Sequence, residues 1–239
     1  YQLLQPVVSS FVLERDGNVT MNDVVILINE QLWTLLGKYH PTTSTTSTST
    51  TTTTTTTSFQ IQPIYFKSGQ TPLIYDPMSI ISYGYASCTG LSILLINALR
   101  TFGIPSRLVG TPAWNGEVEN GNHNWVEVWD VEDTKDWKFM EPTAGTEGVV
   151  TASSVNERKE GGGVVGGVDH MKKDPCKRWF CNGKRMDGYT RVYAARLEKS
   201  LGGEQEKEDS YYPMAWDSTN YNVQGEDRTE YYTDICSKC

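Results

Sequence analysis

The chain of 239 residues carries 21 Lys and Arg against 29 Asp and Glu, a formal charge of −8. With 38% hydrophobic residues, seven Trp and thirteen Tyr, it has the material for a packed core, which excludes wholesale disorder. The acidic balance, without a basic stripe, excludes a nucleic-acid backbone as partner, and no apolar run reaches the roughly 18 residues of a membrane span.

The first residue is Tyr1 rather than Met, which reads as a fragment or a processed product, so the absence of a signal peptide decides nothing. Asn18-Val19-Thr20 is a glycosylation sequon. Met21 to Tyr39 reads as an amphipathic helix capped by Asn22, with Val24, Leu27, Ile28, Leu32 and Leu35 near helical spacing. Thr42 to Ser58 holds only Thr and Ser, has no apolar surface to offset ordering entropy, and is read as a disordered insertion. A second helix starts near Ser87-Cys88 and runs to Phe102, where Gly103 and then Pro105 stop it. Leu91, Ile93, Leu94, Leu95, Ile96, Ala98 and Leu99 make it apolar on nearly every side, so it belongs in the core.

Ser106 to Gly110 reads as a strand and Asn115 to Asn122 as a polar loop. From His123 to Asp130 the side chains alternate, with His123, Trp125, Glu127 and Trp129 on one face and Asn124, Val126 and Val128 on the other. Trp137 to Glu141 is a further strand with Trp137, Phe139 and Glu141 on one face. Thr146 to Lys172 is a Gly-rich loop, and Thr190 to Leu197 reads as a last strand. The chain therefore divides into 1–41 with one helix, the insertion 42–58, a core 59–145, the loop 146–172 and a closing part 173–239 of the same domain.

Three residues in this order can do chemistry together. Cys88 begins a buried helix, where free backbone N–H groups and the helix dipole favour a thiolate and can hold an oxyanion. His123 begins a strand. If Asp130 to Trp137 is a turn, pairing sets position 141 opposite 123 or one pair away, so Glu141 can accept the imidazole N–H. Asp130 and Asp136 are the other acids within reach; the first lies on the opposite face and the second in the turn, which favours Glu141. A nucleophile, a base and an orienting acid are what cysteine acyl transfer needs. His40 and His170 have no partners in view and read as solvated.

The ordered set Ser87-Cys88-Thr89-Gly90, Gly103-Ile104-Pro105-Ser106-Arg107, His123-Asn124-Trp125 and Glu141-Pro142-Thr143 resembles the transglutaminase-like superfamily. The spacings of 35 residues from Cys88 to His123 and 18 from His123 to Glu141 lie in the range that family uses. The resemblance extends from about Met21 to Tyr232, omitting the Thr tract and the Gly-rich loop. Trp179-Phe180, Arg191 to Ala195 and Pro213 to Asp217 look like the C-terminal elements of one subgroup. One departure is that the third position, commonly Asp, is Glu here.

The resemblance implies an α+β fold of papain-like, transglutaminase-like type, its Cys-bearing helix packed on an antiparallel sheet. It implies a thiol enzyme acting on a peptide or protein amide through a thioester, with Cys88, His123 and Glu141 as triad. No cofactor and no metal are expected for this chain, which lacks an acidic calcium-loop pattern. A second oxyanion donor should come from upstream of Cys88, with Tyr83, Tyr85 and Gln70 as candidates; Trp125 is a candidate wall of the substrate site. Hydrolysis is favoured over cross-linking, since no acidic calcium-loop pattern is present. The alternative is a non-catalytic protein- or glycan-binding module using Trp114, Trp125 and Trp129.

Five cysteines leave an odd thiol. Cys176, Cys181, Cys236 and Cys239 can form disulfides in three connectivities, bind zinc or stay reduced. Disulfides rank first, which favours a secreted or organellar location and leaves Cys88 as the free thiol. Oligomeric state is not legible.

Overall fold

The computed structural model describes residues 1–47, 53–69, 74–144, 173–196, 213 and 225–239. Gln70, the Gly-rich segment 146–172, Leu197 and Met214 to Asp217 lie outside the described residues.

Two helices precede the first strand where one was expected. Helix α1 (Gln5–Leu13) has Pro6 in its first turn, and α2 (Met21–Leu35) follows. The cap of α2 is Thr20 rather than Asn22. Thr20 Oγ1 accepts from the Asp23 N–H at 3.1 Å, and the Asp23 carboxylate accepts from the Thr20 N–H at 3.0 Å. That reciprocal box satisfies two of the orphan donors of the first turn. The helix ends at Leu35, and Tyr39 belongs to the next strand, where it is exposed.

Strand β1 (Lys38–Ser47) pairs antiparallel with β2 (Thr53–Gln62), from Lys38 opposite Gln62 to Ser47 opposite Thr53. Much of the segment 42–58, expected to lack order, is therefore a backbone ladder. β-Branched Thr fits an extended strand even without an apolar face, and composition alone did not weigh that preference. A short parallel pair, β3 (Tyr65–Phe66) with β4 (Tyr85–Ala86), leads into the central helix. Between them lies α3 (Pro77–Tyr83), capped by Asp76.

Helix α4 (Cys88–Arg100) starts where the sequence placed it. Gly103 closes it with φ +73, and the Ile104 N–H reaches back to the Leu99 carbonyl, a left-handed stop that only glycine adopts cheaply. Asn97 and Arg100 are exposed, so α4 keeps a polar stripe on a helix otherwise enclosed.

The main sheet has five strands in the order β7-β6-β5-β8-β9, every neighbouring pair antiparallel. These are β5 (Ser106–Thr111), β6 (His123–Asp130), β7 (Asp136–Met140), β8 (Tyr193–Ala195) and β9 (Gly225–Asp227). The last strand read from sequence is thus shorter than Thr190 to Leu197 suggested. On one face Leu91, Leu94, Leu95 and Leu99 of α4 share a core with Leu32 of α2 and with Leu108, Val126, Val128 and Met140 of the sheet. On the other face Val109, Trp125 and Phe139 pack with Phe180 and Met186 and with Tyr232, which lies on helix α5 (Thr229–Ser237). Each fully buried aliphatic side chain contributes about 2 kcal/mol. The central strand β5 is buried at every residue because both faces are covered.

One buried carboxylate ties the second layer together. Glu127 is fully enclosed and accepts from Arg107 Nε at 2.8 Å, Arg228 Nε at 3.1 Å and the Tyr232 hydroxyl at 2.9 Å. Burial pushes the Tyr232 phenol well above its usual range, so it stays a donor to Glu127 and also accepts from Trp125 Nε1 at 2.8 Å.

Cys176 is bonded to Cys239 and Cys181 to Cys236, so both ends of the segment 176–181 are fastened to the end of the chain. Cys88 is the free thiol. Native protein should show one alkylatable thiol, rising to five after denaturation and reduction, with a mass gain of four hydrogens from the two disulfides. Intact-mass spectrometry with and without reductant checks this, and a larger native thiol count would contradict the pairing.

Candidate active site

The first turn of α4 is seated by a glycine. A Cβ on Gly90 would stand 2.5 Å from the Ile74 carbonyl oxygen and 2.7 Å from the Ala86 side chain. Only a bare Cα lets that turn approach so closely, and the approach sets Cys88 at the rim of a cleft of about 250 Å³. Phe66, Leu91, His123, Asn124, Glu141, Pro142, Ala144, Arg178 and Trp179 line the rest of it.

Strand register brings the acid to the histidine. Val126 stands opposite Met140 and Glu127 opposite Phe139, and continuing this by one residue sets Glu141 opposite Trp125. Glu141 is then one pair from His123 on the same face, and its Oε1 lies 2.7 Å from His123 Nε2. Nδ1 is the imidazole nitrogen left for Cys88.

Two further residues contact Glu141, and a third braces the neighbouring Thr143. Asn29 of α2, buried at 2% exposure, donates from Nδ2 to the Glu141 carbonyl at 2.9 Å and accepts from the Thr143 N–H at 3.0 Å. Trp33 Nε1 donates to the Thr143 hydroxyl at 3.0 Å. Arg178 Nε lies 2.6 Å from Glu141 Oε2. None of these roles was read from the sequence. For Asn29 a signal existed, a lone amide on the apolar face of a helix; for Arg178 there was only its place before Trp179-Phe180.

Asn124 organises the opposite side. Its side chain accepts from Thr89 Oγ1 at 2.7 Å and donates to the Val109 carbonyl at 3.2 Å and the Pro213 carbonyl at 3.1 Å. Its backbone N–H is a donor to Cys88.

The electrostatics follow from these partners. Burial opposes charge on the Cys88 thiol, but the hydrogen bond and charge of His123, with the Asn124 N–H and Thr89, outweigh it and bring the thiol below its ordinary value. For His123, burial opposes the imidazolium, yet hydrogen bonds to Cys88 and Glu141 raise its pKa from 6.5 to about 9. Thiolate beside imidazolium is the form both shifts favour. The stabilising contribution of the imidazolium is complete below 6.5 and is lost as pH rises through about 9.

The remaining candidates lie elsewhere. Trp125 is fully buried, with its ring 5.0 Å from Phe180 and 5.8 Å from His123, so it backs the histidine rather than walling the cleft. Tyr83 and Tyr85 are not among the residues lining the cleft; their rings pack together at 6.0 Å. Trp114 is buried and Trp129 packs on Trp137 at 5.3 Å, so the three tryptophans form no open platform. The cleft wall that the sequence did not supply is Trp179, half exposed and 5.4 Å from the imidazole.

Residues 39–142 match the Transglutaminase-like superfamily, a stretch that holds Cys88, His123 and Glu141. The matched stretch is similar to transglutaminase-like domains, and it combines helices with antiparallel strands in an α+β arrangement. The match begins at residue 39 and spans the Thr-rich tract. No curated protein and no solved structure matches the chain significantly. Among the described residues no helix is long and apolar enough to cross a membrane.

Two outcomes are expected. Iodoacetamide should modify native Cys88 at pH 6 far faster than a free thiol, which with a pKa of about 8.5 is only about 0.3% thiolate there. A rate profile with the midpoint of a free thiol would contradict the ion pair. Gly90→Ala should lower stability by about 1–3 kcal/mol through overpacking, read as a lower melting temperature, and should slow alkylation of Cys88.

Proposed function

We propose that the chain is a thiol enzyme of papain-like arrangement that cleaves or transfers the acyl group of a peptide or protein amide. The observation that carries this reading is the half-buried cysteine at the start of α4 interacting with His123, whose Nε2 lies 2.7 Å from Glu141 Oε1 at the wall of an open cleft. Cys88 attacks the amide carbonyl, and the oxyanion forms near the backbone N–H groups of the first turn of α4. His123 gives its proton to the leaving amine as the C–N bond breaks, leaving a thioester on Cys88. Water, or a second amine, then loses a proton to His123 and attacks the thioester, releasing the acyl group and restoring the thiolate–imidazolium pair.

Glu141 keeps the imidazole turned toward Cys88 and stabilises its charged form. Its extra methylene relative to Asp is accommodated by the contacts from Arg178 and, through its backbone, from Asn29. Hydrolysis is the reading adopted. Transamidation needs an amine held at the thioester in competition with water, and hydrolysis needs no such addition.

An activated ester tests the reaction before the natural substrate is known. p-Nitrophenyl acetate should give a burst of nitrophenolate equal to the enzyme concentration and an acid-trapped acetyl group on Cys88. Cys88→Ala should abolish the burst, and His123→Ala should slow it about 10²–10⁴-fold. Adding hydroxylamine separates the second steps, since an amine acceptor site would yield hydroxamate in place of acetate. Failure to acylate Cys88, together with free-thiol alkylation, would return the chain to the binding-module reading.

A further inference from the structure

Glu141 uses both carboxylate oxygens inside the fold. Oε1 lies 2.7 Å from His123 Nε2, and Oε2 lies 2.6 Å from Arg178 Nε. A glutamate side chain turns about three torsions, so a single contact with His123 leaves the carboxylate free to swing. A guanidinium charge held 2.6 Å from the second oxygen restricts that freedom, as an ion pair set by distance and charge rather than by a directed Nε–H bond.

Arg178 reaches the site on a segment with little regular structure, a short 3-10 turn (Pro175–Lys177) and the residues after it. Cys176 and Cys181 bracket that segment, and each is disulfide-bonded to the end of the chain. Between the brackets, Trp179 and Phe180 place their rings 5.4 and 5.7 Å from the imidazole. Two covalent ties and two rings therefore fix the backbone that presents the Arg178 side chain, which is itself only 14% exposed.

We propose that Arg178 is a positioning residue of the thiol site, locking Glu141 so that Glu141 holds His123 on Cys88, with the two flanking disulfides supplying the rigidity. It acts through Glu141 and not on the reacting atoms. The inference deepens the thiol-enzyme reading and rests on it for its catalytic consequence.

The sign of one shift separates positioning from simple electrostatics. The charged groups at His123 are Cys88 from α4, Glu141 after β7 and Arg178 from the bracketed segment, with Arg185 farther off, 5.6 Å from the Trp179 ring. Deleting a nearby cation and nothing else would raise the imidazole pKa. Releasing the carboxylate that orients it would lower the pKa.

The test is an NMR titration of His123 in the full, disulfide-bonded chain labelled with ¹⁵N-histidine, beside Cys88 alkylation by iodoacetamide. Arg178→Gln should move the His123 pKa from about 9 toward 6.5 and slow alkylation at pH 7 by about 10–100-fold, the usual range for a group that orients a functional ligand. Arg178→Lys, which keeps the charge and a donor, should fall between wild type and Gln and guards against a folding artefact. In a Glu141→Gln background, Arg178→Gln should add no further loss.

An unchanged or raised His123 pKa in Arg178→Gln, or an equal loss in both backgrounds, would overturn the proposal. The wild-type control stands apart from these comparisons. Alkylation of wild-type Cys88 at a free-thiol rate would remove the enzyme reading, while the His123 titration would still decide whether Arg178 positions Glu141.

Discussion

A carboxylate on a residue with 6% exposure stays ionised inside a protein only where nearby charge or hydrogen bonds offset its lost hydration, and two groups reach the Glu141 carboxylate while others fix its backbone. Helix α2 supplies Asn29 to its backbone, β6 supplies His123 to Oε1, and the disulfide-bracketed segment supplies Arg178 to Oε2. The hairpin β6–β7 sets its height beside the histidine. Elements distant in the chain must all be in place before the acid is satisfied. An arrangement lacking one of these partners would leave the buried acid either penalised as an anion or protonated.

Glu127 plays the corresponding part at the far end of the same strand face. It joins Arg107 of β5, Arg228 before α5 and Tyr232 of α5, and Arg107 also stacks over Trp137 at 4.2 Å. Breaking such a buried cluster by removing one partner costs about 3–5 kcal/mol, since the others are left uncompensated. The two acids differ in what they face. Glu127 is sealed among cations and a phenol and is structural, whereas Glu141 meets an imidazole at the edge of a cleft. Trp125 sits between them, its indole bonded toward the Glu127 cluster and its ring beneath His123. The motif residues Arg107 and Trp125 thus serve the frame that carries the proposed chemistry.

Periodicity made much of this legible. The alternation from His123 to Asp130 separated the face of His123, Trp125 and Glu127 from the face of Asn124, Val126 and Val128, and the two cores divide along that line. The start of α4 at Cys88 and its end before Gly103 followed from apolar spacing and a glycine stop. Composition misled where it was used alone: the Thr-rich tract was given no order, yet residues on both sides of its centre pair in a ladder. Asn22 was chosen as a cap by residue type, while Thr20 with Asp23 makes the reciprocal pair.

Local pattern therefore gave which residues alternate, where α4 begins and that a hairpin can bring Glu141 to within one pair of His123, because each depends on spacings within about twenty residues along one chain segment. The pairing of Cys176 with Cys239 and Cys181 with Cys236, the clamp of Arg178 on Glu141 and the anchoring of Glu141 by Asn29 belong to another class. They join segments separated by 37 to more than 100 residues, with no periodicity connecting them. The burial of Trp125, which turned a candidate wall into a support, likewise depended on α5 and Phe180 covering the strand. Contacts of that kind exist only after the layers have packed, so the partner of each buried polar group had to be found in three dimensions.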